Sequence, residues 1–363
     1  MSATLSATHF SPDRKTGILF LNMGGPDTLA DVRPFLINLF SDPDIIRLPL
    51  SFLFQKPLAR WIVSRRGKEA EHNYRLLGGG SPQLARTREQ ADALHDRLKE
   101  MGHDLPVFIA MRYWQPDTET TLRRMQEDGI EQVVVVSMYP QFSYTTTGSS
   151  LNELRRVMRR MNLDWPLSIV GGYHHQADYQ TAFTQTIHDG LNAHAAAWTC
   201  PPEDVHILFS AHSLPLRHIK RTKDPYPDLI FNCARRTMES NFPANPWDLC
   251  YQSKVGNMPW LGPYTESALQ YLAAKNCQNV LVVPISFVCD HIETLVEIDL
   301  QYLPLAREMG IPTIHRAPTL NKHPMFIEAL AGMVSEKLQR HLPEASGYVP
   351  VSVATHPTSV TVS

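Results

Sequence analysis

Six short apolar runs, at residues 17–22, 107–111, 133–137, 205–209, 248–251 and 280–283, punctuate the chain, and each leads into a loop rich in Gly, Pro, Ser or His. None alternates apolar with polar residues, so these are not strands with one face in water. Runs of this kind are buried on both faces, as in parallel sheets covered by helices. The segments between them carry a helical period. Ala85, Ala91, Leu94, Leu98 and Met101 form one stripe, opened by Ser81-Pro82 as cap and first-turn proline and closed by Gly102. Alternating strand and helix predicts an α/β fold of doubly wound, Rossmann-like parallel sheets.

The chain also repeats itself. Pro116-x-Thr118-Glu119-x-x-Leu122 recurs as Pro263-x-Thr265-Glu266-x-x-Leu269, and residues 133–136 recur as 280–283, both 147 positions on. A shared offset for a helix start and for the strand that follows it is the mark of duplication. Two similar halves are expected, at residues 15–170 and 171–335. Residues 343–363 lack any helical period and read as a tail.

With 363 residues the chain is long enough for two cores. Its 34 basic and 36 acidic side chains leave a net charge of −2 with no long run of one sign, which excludes nucleic acid as a partner on electrostatic grounds. Five cysteines, none at C-x2-C or C-x4-C spacing, argue against a disulfide framework, a zinc finger or a cysteine-held cluster and fit a reducing compartment. Residues 1–15 lack an apolar signal core, and no stretch of ~18 apolar residues is present to cross a membrane. The expected location is the cytoplasm or a membrane surface, and the resemblance given below narrows the latter to peripheral contact with the cytoplasmic face of the inner membrane. That contact is assigned to residues 45–62, which are dense in Leu, Phe and Trp but broken by Arg47, Gln55, Lys56 and Arg60, as a surface-lying segment permits. Pro49 and Pro57 argue against a continuous core helix there.

In open α/β sheets ligands bind beyond the carboxyl ends of the strands, so the six loops should converge on a cleft between the halves. Together they supply Met23, Arg112, Tyr113, His212, Ser213, Ser253, Lys254, Trp260, Asp290, His291, Glu293 and Glu297. His212 follows a strand among small residues, and Pro215 keeps it out of a helix; the alternative is a structural histidine bonded to backbone. If the next segment is α-helical, Asp290, Glu293 and Glu297 lie at i, i+3 and i+7 and line one face. Like charges so placed raise one another's pKa, which makes the stripe a candidate metal or proton conduit unless it is only a solvated acidic face. Imidazole with carboxylate suits Fe(II), Zn or Mn. The hydroxyl-rich residues 145–150 read as a loop closed by a Ser150–Glu153 capping box, in preference to a phosphate site. His174-His175 is given no role.

The loops themselves are recognisable. Leu21-Asn22-Met23-Gly24-Gly25-Pro26, Gly78-Gly79-Gly80-Ser81-Pro82, Tyr139-Pro140-Gln141, Thr146-Thr147-Gly148-Ser149-Ser150, Ser210-Ala211-His212-Ser213-Leu214-Pro215, Gln252-Ser253-Lys254-Val255-Gly256 and Asp290-His291-Ile292-Glu293-Thr294 together resemble the ferrochelatases, over nearly the whole chain. The resemblance implies two Rossmann-like halves with the active-site cleft between them. It implies a lyase of haem biosynthesis that inserts Fe2+ into protoporphyrin IX and releases two protons. His212 and Glu293 are then the pair over the porphyrin centre, as catalytic groups and metal ligands, with Asp290, His291 and Glu297 extending the acidic path, on a helix that in this family is locally π-widened. Met23, Arg66, Tyr74, Ser81, Arg112, Tyr113, Ser253 and Trp260 are implied to contact substrate. Met23 stands where coproporphyrin-using relatives tend to carry Tyr, which favours protoporphyrin IX. No cysteine follows Cys289, and Tyr144 stands at an upstream ligand position, so no [2Fe-2S] cluster and no permanently bound cofactor is expected. The segment 45–62 corresponds to the family's active-site lip, and the preceding enzyme of the porphyrin pathway is a further expected partner. The alternatives are a cobalt chelatase of a related tetrapyrrole pathway and a non-catalytic porphyrin or haem carrier.

Overall fold

The computed structural model describes Ser11 and residues 13–46, 51–256 and 258–339, with side chains from residue 54 onward in the second stretch. The expected tail at 343–363 and the lip residues Arg47 and Pro49 lie outside the described residues.

Strands β1 (Thr16–Asn22), β2 (Val107–Met111), β3 (Gln132–Ser137) and β4 (Leu167–Val170) form one parallel sheet in the order β2-β1-β3-β4. Strands β5 (His206–His212), β6 (Trp247–Gln252), β7 (Asn279–Pro284) and β8 (Thr313–Arg316) form a second in the order β6-β5-β7-β8. In the first half the sheet is accompanied by α1 (Val32–Phe40), α2 (Ser51–Leu76), α3 (Gln83–Glu100), α4 (Thr118–Glu127) and α5 (Ser149–Arg160). Next come α6 (Ala177–Ala193), α7 (Leu216–Thr222), α8 (Tyr226–Asn241), α9 (Thr265–Ala274), α10 (Leu303–Glu308) and α11 (Pro324–Gln339). Two π-helices, Tyr144–Gly148 and Glu293–Tyr302, precede α5 and α10.

Both faces of each sheet are buried, which is why the strands read as unbroken apolar runs. Ile18 and Phe20 of β1 and Ile207 and Phe209 of β5 join one core shared by the halves, filled by side chains of α3, α6, α8 and α11. The alternate residues Leu19 and Leu21 face a separate cluster under α4 and α5, and Leu208 faces another under α9 and α10. Helix α11 packs on α3 and α6 and touches β3 and β4, so it closes over the first sheet.

Duplication is visible in the backbone. α4 and α9 have ten residues each and begin 147 positions apart, as do β3 and β7. Met111 N–H donates to Pro116 O at 2.7 Å, and Tyr251 N–H to Pro263 O at 2.8 Å. Gly17 pairs with Val133 and His206 with Val280, so six residues further on Met23 and His212 occupy equivalent places.

Two expectations need correction, and two strands escaped the sequence reading. Pro57 lies inside α2, in its second turn; a proline there forfeits one i→i−4 bond near the helix start, and the helix continues to Leu76. Residues 145–150 are helical rather than a loop. The cap is Ser143, whose Oγ accepts from Thr145 N–H at 3.1 Å, while Ser150 Oγ is buried without a partner among the described residues and Glu153 pairs with Arg156. The short edge strands β4 and β8, each four residues long and only partly buried, carry too little apolar signal to be read from sequence.

Candidate active site

Strand order 2-1-3-4 reverses direction between the first and third strands of each half, and such a switch point opens a crevice at their carboxyl ends. In the second half that crevice lies between β5 and β7. His212 is the last residue of β5, and the segment leaving β7 delivers Glu293 at the start of the second π-helix. His212 Nε2 is 3.6 Å from Glu293 Oε1.

The histidine is held from several sides. Its N–H donates to Ser286 Oγ at 3.3 Å, and its carbonyl accepts from Tyr226 Oη at 3.0 Å. Nδ1 lies 2.5 Å from the carbonyl oxygen of Ser213. A carbonyl only accepts, so the ring proton belongs on Nδ1, and Nε2 keeps its lone pair for a proton or a metal. Burial lowers the imidazole's pKa, against the pull of Glu297, which favours this neutral tautomer. About a third of the side chain remains open to the cleft.

Glu293 is the most perturbed acid of the site. Burial pushes its carboxyl from 4.5 up to about 8, and Oε2 has no hydrogen-bond partner among the described residues. His291 Nε2 is 3.7 Å from that same oxygen, its ring packed on Phe287, and burial drives its pKa down to about 3. Glu297 is pushed up to about 7 by burial and by the Glu293 charge. It accepts from Ser253 Oγ at 2.6 Å and Gln252 Nε2 at 3.1 Å, and Gln252 also donates to the Glu293 carbonyl at 2.8 Å. Ser253 reaches it from a left-handed backbone, φ +64°, uncommon for a residue with a side chain.

The three-acid stripe is not what forms. Asp290 precedes the π-helix in non-helical chain and is turned onto β8 and the segment after it. There it accepts from Thr319 Oγ1 at 3.0 Å and Asn321 Nδ2 at 2.9 Å and pairs with Arg316 at 3.4 Å. The i, i+3 relation presumed α-helical geometry from residue 290 onward, whereas that geometry is absent there. Only Glu293 and Glu297, four apart on the wider helix, remain with His212.

The first half faces this group with phenols. Burial, and then Glu293, raise the pKa of Tyr74 on α2 and of Tyr139 in the loop after β3. Arg112 and Tyr113 are tied to a buried carboxylate instead: Asp42 receives Arg112 Nη2 at 2.9 Å, Tyr113 Oη at 2.6 Å and Ser149 Oγ at 2.5 Å. They line a cavity of about 440 Å³ with Asp42, Trp114, Glu153 and Arg156. Trp260 is anchored through Nε1 to Val255 O at 2.9 Å and bridges to Pro215, beside the His212 loop. Ser81 donates its N–H to Pro26 O at 2.7 Å, and a Cβ at Gly80 would lie 2.2 Å from Asp27 O, so the two glycine-rich loops are packed against each other beside Met23. Arg66 lies on α2, 3.8 Å from Glu69. Asp42 and Arg316 were not singled out from sequence, and Gln252 and Tyr139 entered only as parts of the quoted motifs, without a role. Their partners are distant in the chain, and no local spacing announces them.

Residues 15–338 match the family model described as Ferrochelatase. The ferrochelatase of Synechococcus elongatus is 44% identical over 330 residues, which cover 90% of this chain and 83% of that protein. That of Rippkaea orientalis is 45% identical over 332 residues, with the same two coverages. Among solved structures, SirB from Bacillus subtilis with Fe3+ matches at a TM-score of 0.52 and 13% identity, covering 90% of this chain and 96% of that one, a likeness of fold. On the family match and these identities, the chain belongs to the ferrochelatase family.

Proposed function

We propose that this chain inserts Fe2+ into protoporphyrin IX, with His212 and Glu293 as the groups that handle the metal and the two pyrrole protons. The observation that carries this is the His212 Nε2 lone pair 3.6 Å from a buried, largely protonated carboxyl, at the switch point of one half and facing that of the other. Metallation of a free-base porphyrin exchanges two protons for one divalent ion, so the site needs a proton acceptor and a ligand of intermediate softness together. Neutral His212 meets either demand with its single Nε2 lone pair, and Glu293 and Glu297, once their own protons have left along the acidic face, meet the other. Glu293 has an oxygen without a hydrogen-bond partner among the described residues, and Glu297 lies next along the acidic face as the exit for protons or the entry for iron. Asp290, anchored by Arg316, supports that face from behind.

Met23, pseudo-equivalent to His212, offers an apolar side chain from the opposite switch point, in keeping with protoporphyrin IX. Arg66, Tyr74, Ser81, Ser253 and Trp260 line the approach, and Arg112 and Tyr113 act from the neighbouring cavity. The absence of any cysteine beyond Cys289 supports a chain without an iron–sulfur cluster. The lip supports peripheral membrane contact, since Phe54 and Trp61, seven residues apart on α2, are each more than half exposed. No helix among the described residues is long and apolar enough to cross a membrane.

The test is anaerobic mixing of the protein with protoporphyrin IX and Fe2+ while the porphyrin spectrum is followed. Metallation faster than in buffer is expected, and His212→Ala and Glu293→Gln should each abolish it while leaving porphyrin affinity nearly intact. Porphyrin binding with no acceleration would replace the enzyme by a carrier.

A further inference from the structure

We propose that Arg316 is a positioning residue that clamps the second π-helix to the edge strand β8, and so holds Glu293 and Glu297 aimed at His212. The inference rests on the reading of that trio as the reacting groups, and it assigns a role to a side chain that touches none of them.

The guanidinium sits at the end of β8, 13% exposed. Its Nε and Nη2 form a fork on Asp299, at 2.8 Å to Oδ1 and 3.0 Å to Oδ2, while Nη1 reaches Asp290 Oδ1 at 3.4 Å and Ala317 O at 3.2 Å. Asp290 enters the segment that carries Glu293 and Glu297, and Asp299 lies beyond them. One planar cation thus holds the stretch at both ends, a task suited to a fork and not to a point charge. Asn321 ties the entry further, since its side chain donates to Asp290 and its carbonyl accepts from Gln90 of α3 at 2.8 Å.

The duplicated half is an internal control. Val133 pairs with Leu167 and Val280 with Ile314, so Arg316 corresponds to Ile169. Where isoleucine stands, the π-helix lasts five residues and becomes α5; where arginine stands, it lasts ten. Long π stretches are rare because their hydrogen bonding competes poorly with the α form, so a tertiary anchor is the physical means of keeping one. Reversion to α geometry would rotate Glu293 and Glu297 relative to Nε2, and displacements of about 1 Å at reacting groups can cost ~100-fold in rate.

The experiment compares the full-length wild type with Arg316→Met, Arg316→Lys and Asp299→Asn. It measures kcat and KM in anaerobic iron insertion, porphyrin affinity by fluorescence quenching, and amide exchange over residues 293–302. Arg316→Met should lower kcat about tenfold or more with porphyrin affinity held within about twofold, and should speed exchange over the π-helix. Arg316→Lys should recover part of the loss, and Asp299→Asn, which frees one anchor, should lose about threefold. Unchanged kcat in a folded Arg316→Met protein, or reduced kcat with unchanged exchange, overturns the clamp. Should Arg316→Met fail to fold, Asp299→Asn decides: wild-type kcat and exchange there overturn it equally. A wild type that does not metallate porphyrin defeats the proposed activity instead, and the exchange data still judge the clamp.

Discussion

Replacing Glu293 by glutamine removes an ionisable proton and little else, since shape and volume are kept. In the folded chain burial holds the Glu293 carboxyl at about 8 against 4.5 for a free side chain. Between those two values the folded state retains a proton that the unfolded chain has lost, so stability falls as pH rises through the window and the loss is complete above about 8. A displacement from 4.5 to about 8, at ~1.36 kcal/mol per pH unit, sets a ceiling of ~5 kcal/mol. Water in the cleft and local relaxation lower it, and about 3 kcal/mol is expected. Glu293→Gln escapes this loss. Its stability should match the wild type near pH 5 and exceed it by about 3 kcal/mol at pH 9, a gap of roughly 4 °C in Tm for a chain of this length. Glu297, pushed up to about 7 by burial and in part by the Glu293 charge, gives both proteins a decline of the same sign, so the difference between them reads Glu293 together with its coupling to Glu297. Thermal unfolding by circular dichroism and tryptophan fluorescence from pH 5 to 9 reads it directly. Parallel Tm–pH curves would show that the carboxyl ionises in the cleft as it does in water, and the desolvation argument would then be wrong.

Asp42→Ala should destabilise the fold by about 3–5 kcal/mol, because it strands Arg112, Tyr113 and Ser149 around a lost buried charge; a Tm within a degree of wild type would refute that. Gly80→Ala should cost about 1–3 kcal/mol, since its Cβ would meet Asp27 O at 2.2 Å, and denaturant midpoints measure the loss. Replacing Phe54 and Trp61 together by serine should reduce co-sedimentation with anionic liposomes while leaving metallation of detergent-dispersed porphyrin intact. Equal sedimentation would remove the lip from membrane contact.

The sequence by itself determined the layers and their duplication. Strands buried on both faces must be apolar at every position, so β1, β3 and β7 are written as continuous runs, and a duplicated helix start shows at a fixed offset. It also placed His212 and Glu293 at strand ends, where this topology puts ligands. What it left open depends on partners far apart in the chain. Spacing alone put Asp290 with Glu293 and Glu297, but Arg316, 26 residues later, draws Asp290 onto β8. Likewise, only the fold sets the Ser213 carbonyl against Nδ1, gathers Asp42, Arg112 and Ser149, and buries Glu293 deeply enough to keep its proton. Local periodicity encodes which face of a segment is apolar. The protonation state and aim of a side chain depend on the solvent excluded and the charges brought near it, and those quantities exist only once the layers have packed.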